Sequence, residues 1–112
     1  MDSMKKKTIK FRAGTLIHDD APAAIRKSGQ RPIIRHLDDD EEFRGALCKK
    51  LQDEFSEYLK NKDDGEKLAD VLEVLYFLAE EFYGYTRSDL DFYMKGRNFN
   101  KRLFLESMGK QE

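Results

Sequence analysis

The sequence predicts an all-α protein, a small antiparallel bundle of about four helices. Two stretches of the chain carry apolar residues at helical spacing, and such stripes bury one helix face against another. A short polar link, about residues 60–64, separates the stretches and favours antiparallel neighbours. The first stripe repeats every four residues and consists of Leu47, Leu51, Phe55 and Leu59. The second stripe alternates steps of four and three and consists of Leu68, Leu72, Leu75, Ala79 and Phe82.

The N-terminal third is predicted to contain one short helix. Residues 1–14 read as a flexible basic arm before a single domain, 15–108, and residues 8–11 alternate weakly as a short strand or extended arm. Asp20 precedes an Ala-Pro pair, which favours a helix start capped by the aspartate carboxylate. The predicted helix covers residues 20–27.

Three further helices follow along the chain. They are predicted at residues 40–60, 64–83 and about 86–95. Gly84 ends the third helix, and Thr86 or Ser88 supplies the cap of the fourth. Residues 98–105 alternate partly and are predicted to close the domain as a strand-like arm or a last helical turn.

Composition suits a small helical protein, or one that completes its core by oligomerising. Hydrophobic residues are 39% of the chain, charged residues are 38%, and the formal charge is −1. This balance gives no basic bias toward nucleic acid or membrane. The third predicted helix is apolar on more than one side, so we expect a homo-oligomer, most simply a two-fold dimer with the third helices at the interface.

The single cysteine, Cys48, excludes an intrachain disulfide and fits a reducing cytoplasm, so a cytoplasmic location is expected. Because Cys48 follows Leu47 inside a predicted helix, we expect it to be a buried or half-buried small residue.

Carboxylates lie at the edges of both apolar stripes. Glu54 and Glu57 are three residues apart, and Glu66, Asp70 and Glu73 follow steps of four and three, so each set shares a helix face. If the helices pair, these acids converge and repel one another unless something compensates. One interpretation is a Mg²⁺ site, with Mn²⁺ as a substitute, and the other is a solvated acidic surface.

The acidic motifs resemble a known family. The pattern Lys50-Leu51-x-Asp53-Glu54-x-x-Glu57, followed by Leu68-Ala69-Asp70-Val71-Leu72-Glu73, is similar to the MazG-like all-α nucleoside triphosphate pyrophosphohydrolases. More narrowly it resembles their phosphoribosyl-ATP pyrophosphohydrolase-like members. The segments Leu16-Ile17-His18-Asp19-x-x-Pro22 and Arg97 to Leu105 resemble the ends of that domain, so the likeness covers about residues 15–105.

The resemblance implies a Mg²⁺-dependent enzyme that hydrolyses a nucleoside triphosphate, or a related nucleotide, to a monophosphate and pyrophosphate. Its implied metal ligands are Glu54, Glu57 and Asp70, with Glu73 as a partial substitute for a missing ligand. Asp53 and Glu54 are the implied catalytic residues, Asp53 as a base that orients water. The basic side chains expected to hold phosphate oxygens are His18, Lys50, Arg97 and Lys101.

The chain departs from the family pattern at several chemical positions. Lys67 stands where the family has a glutamate, and a protonated lysine has no lone pair for a metal. Thr15, His18 and Asp20 replace three basic residues of the family. The alternative to the enzyme is therefore a catalytically degenerate module that binds a nucleotide or a protein partner, with Lys67 paired to a nearby acid; an unrelated helical interaction protein also stays open.

Overall fold

The computed structural model describes residues 13–110, and all regular structure in this part of the chain is helical. The four helices are α1 (Ala21–Lys27), α2 (Asp40–Lys60), α3 (Gly65–Tyr83) and α4 (Arg87–Met94). The prediction of an all-α protein with about four helices is therefore confirmed. The N-terminal arm up to residue 12, with the weak alternation at 8–11, lies outside the described residues, as do residues 111 and 112.

Three of the four helices begin at side-chain caps. The carboxylate of Asp39 accepts a hydrogen bond from the backbone N–H of Glu42 at 3.0 Å, and Asp64 caps α3 in the same way. Thr86 and Asp89 form a reciprocal capping box at α4, with bonds of 3.1 and 2.8 Å. Each cap satisfies N–H groups that have no partner within the helix.

The start of α1 differs from the prediction. Asp20 is the residue before the helix, but its side chain caps no backbone N–H group. The backbone of Asp20 is already helical there (φ −88°, ψ −6°), whereas a capping residue normally adopts the extended conformation that aims its side chain back at the helix. The expected carboxylate cap is therefore wrong, and Pro22 in the first turn is the feature that favours this helix start.

Helices α2 and α3 form an antiparallel hairpin, the only extensively packed helix pair within residues 13–110. The ring of Phe43, near the start of α2, lies 6.0 Å from the rings of both Phe77 and Phe82, near the end of α3. Gly84 ends α3 in the left-handed conformation (φ 67°), which a residue without Cβ adopts at no steric cost.

The buried side of α3 matches the predicted stripe only at its C-terminal end. Ala79 of that stripe is buried and Phe82 contacts Phe43. Leu68, Leu72 and Leu75 are exposed, and Val71 and Val74 are buried in their place. α3 is apolar on two sides, so its periodicity is satisfied by either of them, and packing on α2 selects the valine side. On α2, Leu47 of the predicted stripe is buried, but Phe55 and Leu59 of the same stripe are exposed. Cys48 is also exposed, so the expectation of a buried or half-buried cysteine is wrong.

The described chain is open rather than compact. Its radius of gyration is 19.0 Å, against about 13 Å for a compact domain of this length. The buried apolar residues among positions 13–110 are few: Ala21, Leu47, Val71, Val74 and Ala79. The helices of this part of the chain are also too short or too polar to form a membrane span.

The small core makes stability sensitive to single buried side chains. We expect Leu47→Ala to lower the free energy of unfolding by about 2–5 kcal/mol, because it removes buried methyl groups and leaves a cavity between α2 and α3. Urea unfolding followed by circular dichroism measures the change. The neighbouring Cys48→Ala is the control, since Cys48 is exposed; equal losses in both variants would contradict this account of the core.

Candidate functional site

Six charged side chains are partly buried along the half of the hairpin nearest the link between α2 and α3. They are Lys50, Asp53, Glu54 and Glu57 on α2, and Lys67 and Asp70 on α3. We call this set the polar strip. The phenylalanine contacts at the other end set the register of the hairpin, and from them residues 50–57 lie at about the same level as residues 66–73.

The acids that α2 contributes are paired within their own helix. Lys50 lies 3.3 Å from Glu54, and these two side chains are only 24% and 21% exposed. Lys49 bonds to Asp53 at 3.1 Å, and Lys60 lies 3.8 Å from Glu57. All three pairs have the spacing of helical neighbours, so residues of one helix face satisfy these charges without help from α3.

The two strip residues of α3 lack such partners. Among residues 13–110, the side chains of Lys67 and Asp70 make no hydrogen bond or ion pair, although both are partly buried. Lys67 therefore does not form the salt bridge that the degenerate-module interpretation expected. Lys67 and Asp70 are therefore the two strip residues whose charges the described part of the chain leaves unpaired.

The carboxylates of the strip do not form a ready-made metal cage. Within the described residues, no three or more histidine, cysteine, aspartate or glutamate side chains are grouped as metal ligands. The predicted ligands Glu54 and Glu57 face lysines, and the predicted substitute Glu73 bonds to His18 across 2.6 Å. The structure thus brings together two predicted site residues, His18 and Glu73, that the sequence assigned to different roles.

A pocket of about 540 Å³ lies on another face of α3, where the chain turns into α4. The guanidinium carbon of Arg87 stands 4.4 Å from the ring centre of Tyr76, and Glu73 and Tyr85 also line the pocket. Sequence reasoning missed Tyr76, Tyr85 and Arg87 as site residues. The available signal was Gly84, because a left-handed turn there directs the following residues back toward α3.

The pKa of Tyr85 is raised by its neighbour in this corner. The largest cause is a hydrogen bond with the phenol of Tyr93, whose ring lies 5.1 Å away, and the charge interaction with Tyr93 acts in the same direction. A phenol is neutral at physiological pH in any case, so the shift only extends toward higher pH the range in which Tyr85 keeps its O–H.

Two predicted phosphate-binding residues lie elsewhere. Arg97 and Lys101 follow α4 on the exposed C-terminal segment, and neither forms an ion pair with the described part of the chain. Lys50 lies in the polar strip and His18 lies beside the pocket through its bond to Glu73. The basic residues named from the sequence are therefore divided among three places.

Comparison with known proteins identifies no relative of this chain. No protein-family model matches it, and neither a curated protein nor a solved structure matches it significantly.

The polar strip predicts unequal effects for two adjacent lysines. We expect Lys50→Met to lower the free energy of unfolding by about 1–2 kcal/mol, because it leaves the partly buried Glu54 unpaired. Lys49→Met is the matched control and should cost less than about 0.5 kcal/mol, since its pair with Asp53 is more exposed. Chemical denaturation of both variants measures the difference, and equal values would refute the ranking.

Proposed function

We propose that this chain is a divergent MazG-like nucleotide pyrophosphohydrolase that acts on a nucleoside triphosphate or a related nucleotide. The observation that carries the proposal is the pair of partly buried charges on α3, Lys67 and Asp70, which have no partner among residues 13–110 and lie at the level of the Lys50–Glu54 pair. A nucleotide bound with a divalent cation presents both a cation and anionic oxygens. Such a ligand therefore complements a lysine and an aspartate at the same place.

The chain's own residues have distinct roles in this proposal. Lys50 and Lys67 bind phosphate oxygens, as ammonium groups do in other phosphate sites. Asp53 accepts a proton from the attacking water, which cleaves the bond between two phosphates and releases pyrophosphate. His18 bonds to Glu73, and the guanidinium of Arg87 lies over the ring of Tyr76. The planar guanidinium of Arg87 is the surface on which the base of the nucleotide stacks in this proposal.

The donor chemistry of the strip fits Mg²⁺, which prefers carboxylate oxygens and keeps several waters when it binds beside phosphates. Glu54, Glu57 and Asp70 are the residues that would hold it, whereas Glu73 bonds to His18 and lines the pocket on another face of α3. When bound, Mg²⁺ supplies charge neutralisation and polarises a phosphoryl oxygen. Mn²⁺ has the same ligand preference and is the natural substitute in an assay.

A second candidate function is nucleotide binding without turnover. It is favoured by Lys67, which is partly buried on the strip face and places a positive charge where the family resemblance expects a metal-binding glutamate. The intrahelical lysine partners of Asp53, Glu54 and Glu57 support the same candidate, because each pair must open before its carboxylate can bind a cation.

We also propose that the protein works as a homodimer with α3 in the interface. The support is the exposed apolar side of α3, with Leu68, Leu72 and Leu75, together with the small core and the open shape of the single chain. Exposed apolar patches of this kind mark association surfaces.

Replacing the proposed base separates chemistry from binding. We expect Asp53→Asn to reduce pyrophosphate release from the best substrate by about 100-fold or more, because general bases contribute factors of this size. The assay is release of pyrophosphate from a panel of nucleotides with Mg²⁺ or Mn²⁺. Asp63→Asn is the control, since Asp63 is an exposed acid of the link. If the unaltered protein binds a nucleotide by calorimetry but releases no pyrophosphate, the second candidate replaces the first.

Restoring the family's acid at position 67 tests the role of the lysine. We expect Lys67→Glu without metal to lower the melting temperature by roughly 4–8 °C, because a second carboxylate is placed beside Asp70. Mg²⁺ should then raise the melting temperature more than it does in the unaltered protein, since a ligand of the folded state stabilises it. Lys62→Glu, an exposed change in the link, should show neither effect. An unchanged response to Mg²⁺ would argue against a cation site at the strip.

A further inference from the structure

An apolar segment after α4 is left largely exposed by the rest of residues 13–110. We call residues 97–110 the C-terminal arm; it follows α4 and contains no helix or strand. Five of its apolar side chains are between 72% and 94% exposed: Phe99, Leu103, Phe104, Leu105 and Met108. Side chains of this size scattered singly on a surface are ordinary, but five within ten residues indicate a binding segment.

The hairpin carries an apolar surface that is also uncovered. We call it the outer face, and its members are between 43% and 52% exposed: Phe55 and Leu59 on α2, and Leu68, Leu72 and Leu75 on α3. The α3 members follow steps of four and three, so they form one continuous ridge along that helix.

The C-terminal arm is basic, and one edge of the outer face is acidic. The arm contains four basic residues and one acidic residue, a net charge of +3: Arg97, Lys101, Arg102 and Lys110 against Glu106. The acids of α3 lie away from the leucine ridge, but Glu73 and Glu80 line the same pocket as Leu72, so the ridge has carboxylates along that edge. Because complementary charge brings partners together and sets their orientation, a basic apolar arm suits an apolar face with an acidic edge.

We propose that the C-terminal arm of one copy lies across the outer face of a second copy, and that the exchange is reciprocal. This inference rests on the proposed homodimer and is independent of nucleotide binding. The two phenylalanines of each arm bring roughly 300–500 Å² of surface. Two arms therefore bury roughly 600–1,000 Å², and because the outer faces that they cover lose about the same area again, the total reaches the ~1,600 Å² that a stable interface needs.

A two-fold exchange also explains why each surface is incomplete alone. A self-complementary contact repeats the same arm and the same face in both copies, so the same residues form both halves of the interface. In this arrangement the arm covers the leucines of α3 that a single chain leaves exposed, and the basic residues of the arm lie along the acidic edge of the outer face.

The test uses two full-length variants and their mixture. The arm variant carries Phe99→Ser, Leu103→Ser and Phe104→Ser, which lie outside every helix and are exposed, so its helix content by circular dichroism should equal that of the unaltered protein. The face variant carries Leu68→Ser and Leu72→Ser. Sedimentation velocity at micromolar concentration reports the mass of each variant and of an equimolar mixture.

The expected result is complementation. The unaltered protein sediments as a dimer, and each variant alone self-associates at least tenfold more weakly, because one side of both contacts is lost. The mixture regains dimers, since the intact arm of the face variant meets the intact face of the arm variant. The matched control is Ile33→Ser with Ile34→Ser, an exposed apolar pair that also lies between arginines; it should leave the dimer unchanged.

Four results would overturn the proposal. An arm variant that remains a dimer would place the contact in the helices alone, and a monomeric unaltered protein would remove the interface altogether. A mixture that stays monomeric would show that arm and face do not meet. A dimer that the Ile33 and Ile34 changes dissociate, while the arm variant does not, would assign the contact to residues 33 and 34. Pyrophosphate release is measured separately on the same proteins, so failure of the enzyme proposal is distinguishable from each of these.

Discussion

The packing of α2 against α3 is the contact on which the rest of the described chain depends. The rings of Phe43, Phe77 and Phe82 interlock at the open end of the hairpin and fix how far one helix is shifted along the other. That shift sets which charged residues stand at the same level near the link. α1, α4 and the C-terminal arm add little buried surface, so both the polar strip and the outer face are consequences of one helix pair.

The charged residues of the polar strip find partners on α2 but not on α3. On α2 each acid has a lysine three or four residues away, a local solution that needs no tertiary contact. On α3 the partly buried side chains of Lys67 and Asp70 have no partner among residues 13–110. Proteins commonly accept local destabilisation where a ligand binds, because the ligand supplies the missing interactions. The proposed nucleotide site follows from this difference between the two helices.

The sequence predicted the helices well because their ends are determined by local chemistry. Asp39 and Asp64 are caps, and Gly84 is a left-handed stop, so the residues that define α2 and α3 lie within a turn of each boundary. Asp20 failed as a cap because side-chain aim depends on a backbone angle that residue identity does not fix.

Features that depend on tertiary packing were harder to predict from the sequence. Which side of α3 is buried depends on competition between two apolar stripes. Sequence spacing correctly placed Glu54 and Glu57 on one face, and the same spacing also indicates Lys50 and Lys60 as their partners, which the metal-site interpretation did not use. Tyr76 and Arg87 come together only because the chain reverses after α3.

Arg44 has an effect that reaches beyond its own position. Its guanidinium donates to the hydroxyl of Tyr83 at 2.6 Å and lies over the rings of Phe82 and Tyr83, so the start of α2 is joined to the last turn of α3. The hairpin is thus held at both ends, by the covalent link at one and by the contacts of Arg44 at the other. Removing the Arg44 side chain would leave the open end of the hairpin to the phenylalanine contacts alone.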